Sequence, residues 1–161
     1  MSDREELIRY KQNIKPYLRE LQELSLAAPS EKDLLTMEAT EEVRKNSKVA
    51  LRGKPVRKVY IDFDEKNVDR FKIYVANLHR VNPNPVYIWI SKTNSCGLYA
   101  IPSLLQFNFD FSFNVIKEGV VGLLSSDLQD TVTLDFSYNQ KSFKYGIEID
   151  VCGDHWVLIE Y

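Results

Sequence analysis

Cysteine is scarce: Cys96 and Cys152 are the only two in the chain. Two thiols in a chain long enough to bury its own core make no disulfide framework. Histidine is equally scarce. His79 and His155 stand far apart, so the i, i+4 pair of a helix-borne zinc site is missing. The six glycines are scattered. None falls into G-x-G-x-x-G or G-x-x-x-x-G-K-S/T, which removes the phosphate-cradling loops, and no G-x-S-x-G elbow is present. No run of eighteen apolar residues occurs, so no membrane span is predicted. The opening residues, Met1-Ser2-Asp3-Arg4-Glu5-Glu6, are charged and lead into no apolar stretch of the signal-peptide kind. The expected compartment is the reducing cytoplasm. Net charge is only -2, which gives no overall nucleic-acid footprint.

What the chain has is an ordinary globular composition rich in aromatics, with eight Phe, nine Tyr and two Trp in 161 residues. That argues against disorder and for one domain over 1–161. Charge is unevenly spread. Residues 1–60 carry 13 basic and 10 acidic groups, and residues 61–161 carry 8 and 13. An acidic body follows a mildly basic N-terminal segment. This is either ordinary solvated surface or an acidic face for a basic partner.

The first 53 residues read as helical. Leu7, Tyr10, Ile14, Tyr17, Leu21 and Leu24 recur every three or four positions and form one stripe. Asp3 is the expected N-cap with Glu6 completing a capping box, and Pro16 predicts a kink or break near Lys15. Ser30 is placed to cap a second helix from about Glu31 to Val49, and Gly53-Lys54-Pro55 breaks the pattern. The body, 54–161, opens on a period-two strand, Val56 to Phe63. A helix near 66–81 follows, opened by Asp64 or Asn67. Val86-Tyr87-Ile88-Trp89-Ile90 reads as an interior strand covered on both faces. Phe107, Phe109, Phe111 and Phe113 alternate with polar residues. Four strand signals come next: Val120–Leu124, Thr131–Phe136, Phe143–Val151 and Trp156–Tyr161, separated by turn compositions. Helices first and strands later predict an α+β fold, with N-terminal helices packed on a mostly antiparallel sheet that ends in a meander.

Groups with reactive potential are few. Cys152-Gly153-Asp154-His155 holds a thiol, a carboxylate and an imidazole, but zinc needs three or four ligands, and a turn between strands explains the same residues. Cys96 beside Gly97 has the composition of a nucleophile only if His79 or His155 approaches it in space; a small buried cysteine is the simpler reading. No catalytic residue, metal ligand or cofactor is assigned. The outward phase of the last strands is more informative. With a hairpin around Asn139-Gln140, Thr133 is expected near Glu148 and Thr131 near Asp150, with Asp127 and Asp130 at the adjoining turn. Asp127, Asp130, Asp135, Glu148 and Asp150 are therefore the candidate partner-binding residues. The alternative is the wet face that any antiparallel sheet presents.

Residues 86–156 also carry an ordered set of features. Val86-Tyr87-Ile88-Trp89-Ile90-Ser91-Lys92 is followed by Cys96-Gly97-Leu98-Tyr99 and Ile101-Pro102. Phe107-Asn108-Phe109-Asp110-Phe111, Glu118-Gly119-Val120-Val121 and Leu134-Asp135-Phe136 come next, and Ile147-Glu148-Ile149-Asp150-Val151-Cys152-Gly153 with Trp156 closes the series. In this order they resemble the C-terminal module of immunity proteins from bacterial contact-dependent growth inhibition and other polymorphic toxin systems. The resemblance covers under half of the chain. It implies a small cytoplasmic protein without catalytic residues that binds one cognate toxin domain, often a nuclease, and blocks it. The free chain is expected to be a monomer, with no direct contact with nucleic acid or membrane. A small enzyme centred on Cys96, Cys152 or His155, and a general interaction module using the basic helical segment, are the rival readings.

Overall fold

The computed structural model describes residues 1–161. Ser2, not Asp3, caps the first helix, α1 (Asp3–Leu24). Its hydroxyl accepts from the Glu5 N–H, and the Glu5 carboxylate accepts from the Ser2 N–H, a reciprocal capping box one residue earlier than expected. Asp3 instead sits in the first turn, where its charge meets the positive end of the helix dipole. The helix runs through Pro16 with no break at Lys15. Proline removes one N–H, and the carbonyl left without it belongs to Gln12, an exposed residue. The stripe buries Ile14, Tyr17, Leu21 and Leu24, whereas Leu7 is 52% exposed, so the first turns stand clear of the core.

The helix expected from Glu31 to Val49 is two pieces. Ser30 starts only a 3-10 turn, Glu31–Asp33. Leu34 and Leu35 are then drawn straight: Leu34 bridges Tyr99, and the Leu35 N–H donates to the Leu98 carbonyl at 2.8 Å. Thr36 caps the true helix, α2 (Met37–Ala50), by accepting from the Ala39 N–H. The thin apolar stripe explains the split, because two leucines do more against a sheet edge than on a mostly polar helix.

The remaining elements are β1 (Val56–Asp62), a 3-10 turn (Phe63–Asn67), α3 (Asp69–Val81), β2 (Val86–Trp89), the single turn α4 (Thr93–Cys96), β3 (Tyr99–Ile101), a 3-10 turn (Leu104–Gln106), β4 (Val120–Ser125), β5 (Asp130–Asn139), β6 (Lys144–Gly153) and a last 3-10 turn. Helix α3 opens after Val68 rather than at Asp64 or Asn67, and buries Phe71, Tyr74, Val75 and Leu78. The expected strand at Trp156–Tyr161 is a 3-10 turn, Trp156–Leu158, with an irregular tail. Residues 107–113 keep the alternation of their aromatics without a ladder: Phe107 and Phe111 are buried, and their rings meet Phe109 and Phe63 edge-to-face and Phe136 at a tilt.

The six strands form one antiparallel sheet in the order β1-β6-β5-β4-β2-β3, so the fold is α+β. In the β5–β6 hairpin Thr133 faces Asp150 and Asp135 faces Glu148, two residues from the expected register. The ladder continues to Asn139 and Lys144, so the loop is centred later than Asn139-Gln140. A slip of two leaves every side chain on its predicted face.

One face of the sheet, with Val121, Leu123, Val132, Leu134, Ile147 and Ile149, shares a core with α1 and α3. Helix α2 crosses the other face. The Thr40 hydroxyl accepts from the Leu98 N–H beside β3, Arg44 lies over the Trp89 ring of β2, and beyond the helix the Pro55 carbonyl accepts from the Gly153 N–H of β6. Fourteen residues of helix span about 21 Å, and four strand spacings about 19 Å, so helix and crossing match. This crossing explains why Leu124, on the outer face opposite Tyr87, is only 6% exposed, and why β2 is covered on both sides.

The junction of α2 with β3 sets a test. Gly97 has φ +104°, and a Cβ there would lie 2.2 Å from the Leu35 carbonyl oxygen; Gly53 has φ +72° with open space around it. Gly53→Ala is expected to cost about 1 kcal/mol through backbone strain alone. Gly97→Ala should cost more than about 3 kcal/mol, because it adds a clash with immobile backbone. Paired urea denaturation curves check both.

Candidate functional site: the open face of the sheet

Helix α2 leaves the outer face of β1, β6 and β5 uncovered toward the hairpin. Period-two alternation sends Lys58 and Tyr60 of β1, Glu148 and Asp150 of β6, and Thr133 and Asp135 of β5 to this face. The register sets two cross-strand rows. Tyr60, Glu148, Asp135 and Val120 form one, and Lys58, Asp150, Thr133 and Gly122 the other. Lys58 Nζ donates to Glu148 Oε1 at 2.7 Å and to Asp150 Oδ1 at 3.2 Å. Those two carboxylates hold the Lys58 pKa above its ordinary value. Asp135 is exposed and has no cation of its own within salt-bridge reach. Two carboxylates thus share one ammonium, and Asp135 stands beside them without a cation, next to a Tyr60 ring that is 63% exposed.

The other two candidate residues lie at the opposite end of β5 and do different work. Asp127 is exposed, but its oxygens serve its own turn. Oδ1 accepts from the Ser125 hydroxyl at 2.6 Å and from the Gln129 N–H at 3.1 Å, and the Asn82 and Asn84 amides donate as well. Partial burial pushes its pKa up, yet the hydrogen bonds from Ser125, Gln129 and Asn82 outweigh that and hold it below the ordinary 3.8. Asp130 is wholly interior. Its Oδ1 accepts from the N–H groups of His155 and Trp156, at 2.8 and 2.9 Å. Its Oδ2 takes the Asn82 amide at 2.7 Å and pairs with His155 Nδ1 at 2.9 Å. Asp130 is therefore corrected from partner-binding residue to internal tie, because no partner can reach it without unfolding the turn. The sequence held a sign of this: Asp130 shares phase with the inward Val132, Leu134 and Phe136.

The reactive groups do not converge. Cys152 Sγ contacts the Lys54 carbonyl at 3.9 Å, Asp154 pairs with Lys54 Nζ at 2.7 Å, and His155 pairs with Asp130. Cys96 is buried, and burial pushes its thiol up to about 11, so it stays protonated at neutral pH. Burial, with Asp130 and Asp154 nearby, also raises the Cys152 thiol. Lys58 and Tyr60 are the site residues that sequence reading missed, although the alternation of β1 already put them on one side with Asp62. Comparison with protein-family models, curated proteins and solved structures gives no match to this chain.

Two outcomes follow from sorting the carboxylates. Asp130→Ala should cost about 3–5 kcal/mol, as loss of a buried paired charge does. Glu148→Ala and Asp150→Ala should each change stability by only about 0–1 kcal/mol. Denaturant midpoints separate the two classes. For Asp127, the depressed folded pKa means a contribution fully present above its unfolded value and lost as pH falls through the folded value. Asp127→Asn is expected to flatten the acid limb of the stability curve below its ordinary 3.8 and to leave the neutral region's pH slope unchanged.

Proposed function

We propose that this protein is an immunity protein that binds a cognate toxin domain of the nuclease class and occludes its active site or substrate groove. The observation that carries the reading is the open patch formed by Asp135, Glu148 and Asp150 with the exposed Tyr60 and a single cation, Lys58. A nuclease must present cationic surface to hold phosphates. Carboxylates grouped on a rigid sheet attract such a surface and raise the association rate, and an aromatic ring beside them supplies contact area at low entropic cost. The order of features in residues 86–156, which resembles the immunity modules, supports the same reading. In this proposal the protein acts in the cytoplasm, is monomeric when free, uses no cofactor and performs no turnover. No helix of the chain is long and apolar enough to cross a membrane, which is compatible with that location.

The test is binding of the cognate toxin domain, sought first in the reading frame next to this one, followed by stopped-flow kinetics at two ionic strengths. The triple variant Asp135→Asn/Glu148→Gln/Asp150→Asn, folded by circular dichroism, should associate about tenfold or more slowly at low salt and lose most of the salt dependence. Unchanged association together with unchanged protection of cells would move the interface elsewhere. Cys96→Ala and Cys152→Ala should each keep full protection; a folded cysteine variant that protects no cell would favour an enzyme instead.

A further inference from the structure

A second site lies on the opposite side of the molecule, where α3 meets the aromatic segment 104–110. Phe71, Val75 and Phe107 are buried and form the floor of a groove of about 610 Å³; Leu26 and Leu105, 63% and 46% exposed, form its apolar rim. That volume is in the range of small-molecule pockets. Lys66 lines the groove from the 3-10 turn before α3 and is only 3% exposed. Its ammonium lies 4.5 and 4.8 Å from the ring centroids of Phe63 and Phe111 and meets no hydrogen-bond acceptor of the protein. With the residue almost wholly covered, the ammonium keeps only a sliver of solvent contact, and ring faces replace only part of its lost hydration. Burial accordingly pulls its pKa down, against the pull of Asp110 and Asp64, neither of which comes within ion-pair distance. Lys72 adds a second positive charge to the lining, and Asp110 is its one carboxylate.

We propose that this groove binds a small amphiphilic carboxylate of the fatty-acid kind, its chain on Phe71, Val75 and Phe107 and its carboxylate on the Lys66 ammonium. The ligand supplies the acceptor that Lys66 lacks, and its chain covers rim leucines that otherwise face water. The groove is separate from the carboxylate patch on the open sheet face, so the inference stands apart from the proposed toxin binding.

The probe is decanoate, titrated into the full-length protein by calorimetry, with decanol as the uncharged comparator and amide NMR shifts as the map. Decanoate should bind the wild type at least about tenfold more tightly than decanol, the scale of one charge-assisted hydrogen bond. Lys66→Met, which replaces a buried cation by an apolar chain of like length and should fold well, should reduce decanoate affinity by a similar factor while sparing decanol. Shifts should cluster in residues 66–75 and 105–110. Equal affinity for acid and alcohol, no loss in Lys66→Met, or shifts mapping elsewhere would overturn the proposal. So would a concentration-dependent dimer in sedimentation that buries the groove, or tighter binding of an acetylated Phe-Leu-Leu peptide than of decanoate; these would assign the groove to a second copy or to a peptide C-terminus.

Discussion

The structure depends on one buried carboxylate. A charge with no exposure survives only where its lone pairs are filled, and Asp130 fills them from two distant segments. The Asn82 amide comes from the end of α3, and the His155 and Trp156 N–H groups come from the chain beyond β6. The Ser125 hydroxyl accepts from Asp130's own N–H and closes the β4–β5 turn. These bonds fix where α3 stops and hold the final residues in a 3-10 turn. They also seat Trp156 in the core, with no exposed surface. The same crowding dictates Gly153. Its φ is +136°, and a Cβ there would fall 2.1 Å from the Gln129 carbonyl oxygen and 2.6 Å from Asp130 Oδ1.

A second polar tie holds the other edge. Tyr17, wholly buried on α1, donates to the Gly97 carbonyl at 2.6 Å and pairs with the Thr93 hydroxyl, which also accepts from the Ile90 N–H. Burial drives the Tyr17 phenol far above its usual range, so it remains a donor at any physiological pH. Nearby, Lys92 and Glu20 pair at 2.7 Å between α4 and α1. Helix, turn and sheet are thus clamped at both ends, with the apolar core between. The part of the outer face that α2 leaves open toward the hairpin has little structural duty, and surface chemistry there is free to serve binding.

Much of this was legible in the sequence, for a physical reason: periodicity reports which side chains face the same way. The stripe from Ile14 to Leu24, the alternation of β1, β5 and β6, and the interior character of Val86–Trp89 all follow from it. What failed was decided by partners far along the chain. Leu34 and Leu35 left a helix because Leu98 and Tyr99 offered a sheet edge. Trp156 to Tyr161 has strand composition but gives its first N–H to Asp130. The register of the β5–β6 hairpin turned on a loop centred two positions later than its composition implied. Among the candidate residues, phase sorted Asp135, Glu148 and Asp150 correctly to the outside, and the same phase, applied to Asp130, points inward.

The difference between these carboxylates lies in solvent access, and that difference bears on how the open face could work. Lys58 is 66% exposed in its pairs with Glu148 and Asp150. Water and salt screen such pairs, so they add little to the fold. A cation arriving on a partner can therefore take over either carboxylate at little cost to stability, while Lys58 returns to solvent on its long stem. Asp130 allows no such exchange, because releasing any donor strands a charge in the interior. A sheet that keeps its indispensable carboxylate inside and its exchangeable ones outside can change partners on one face without loosening the other.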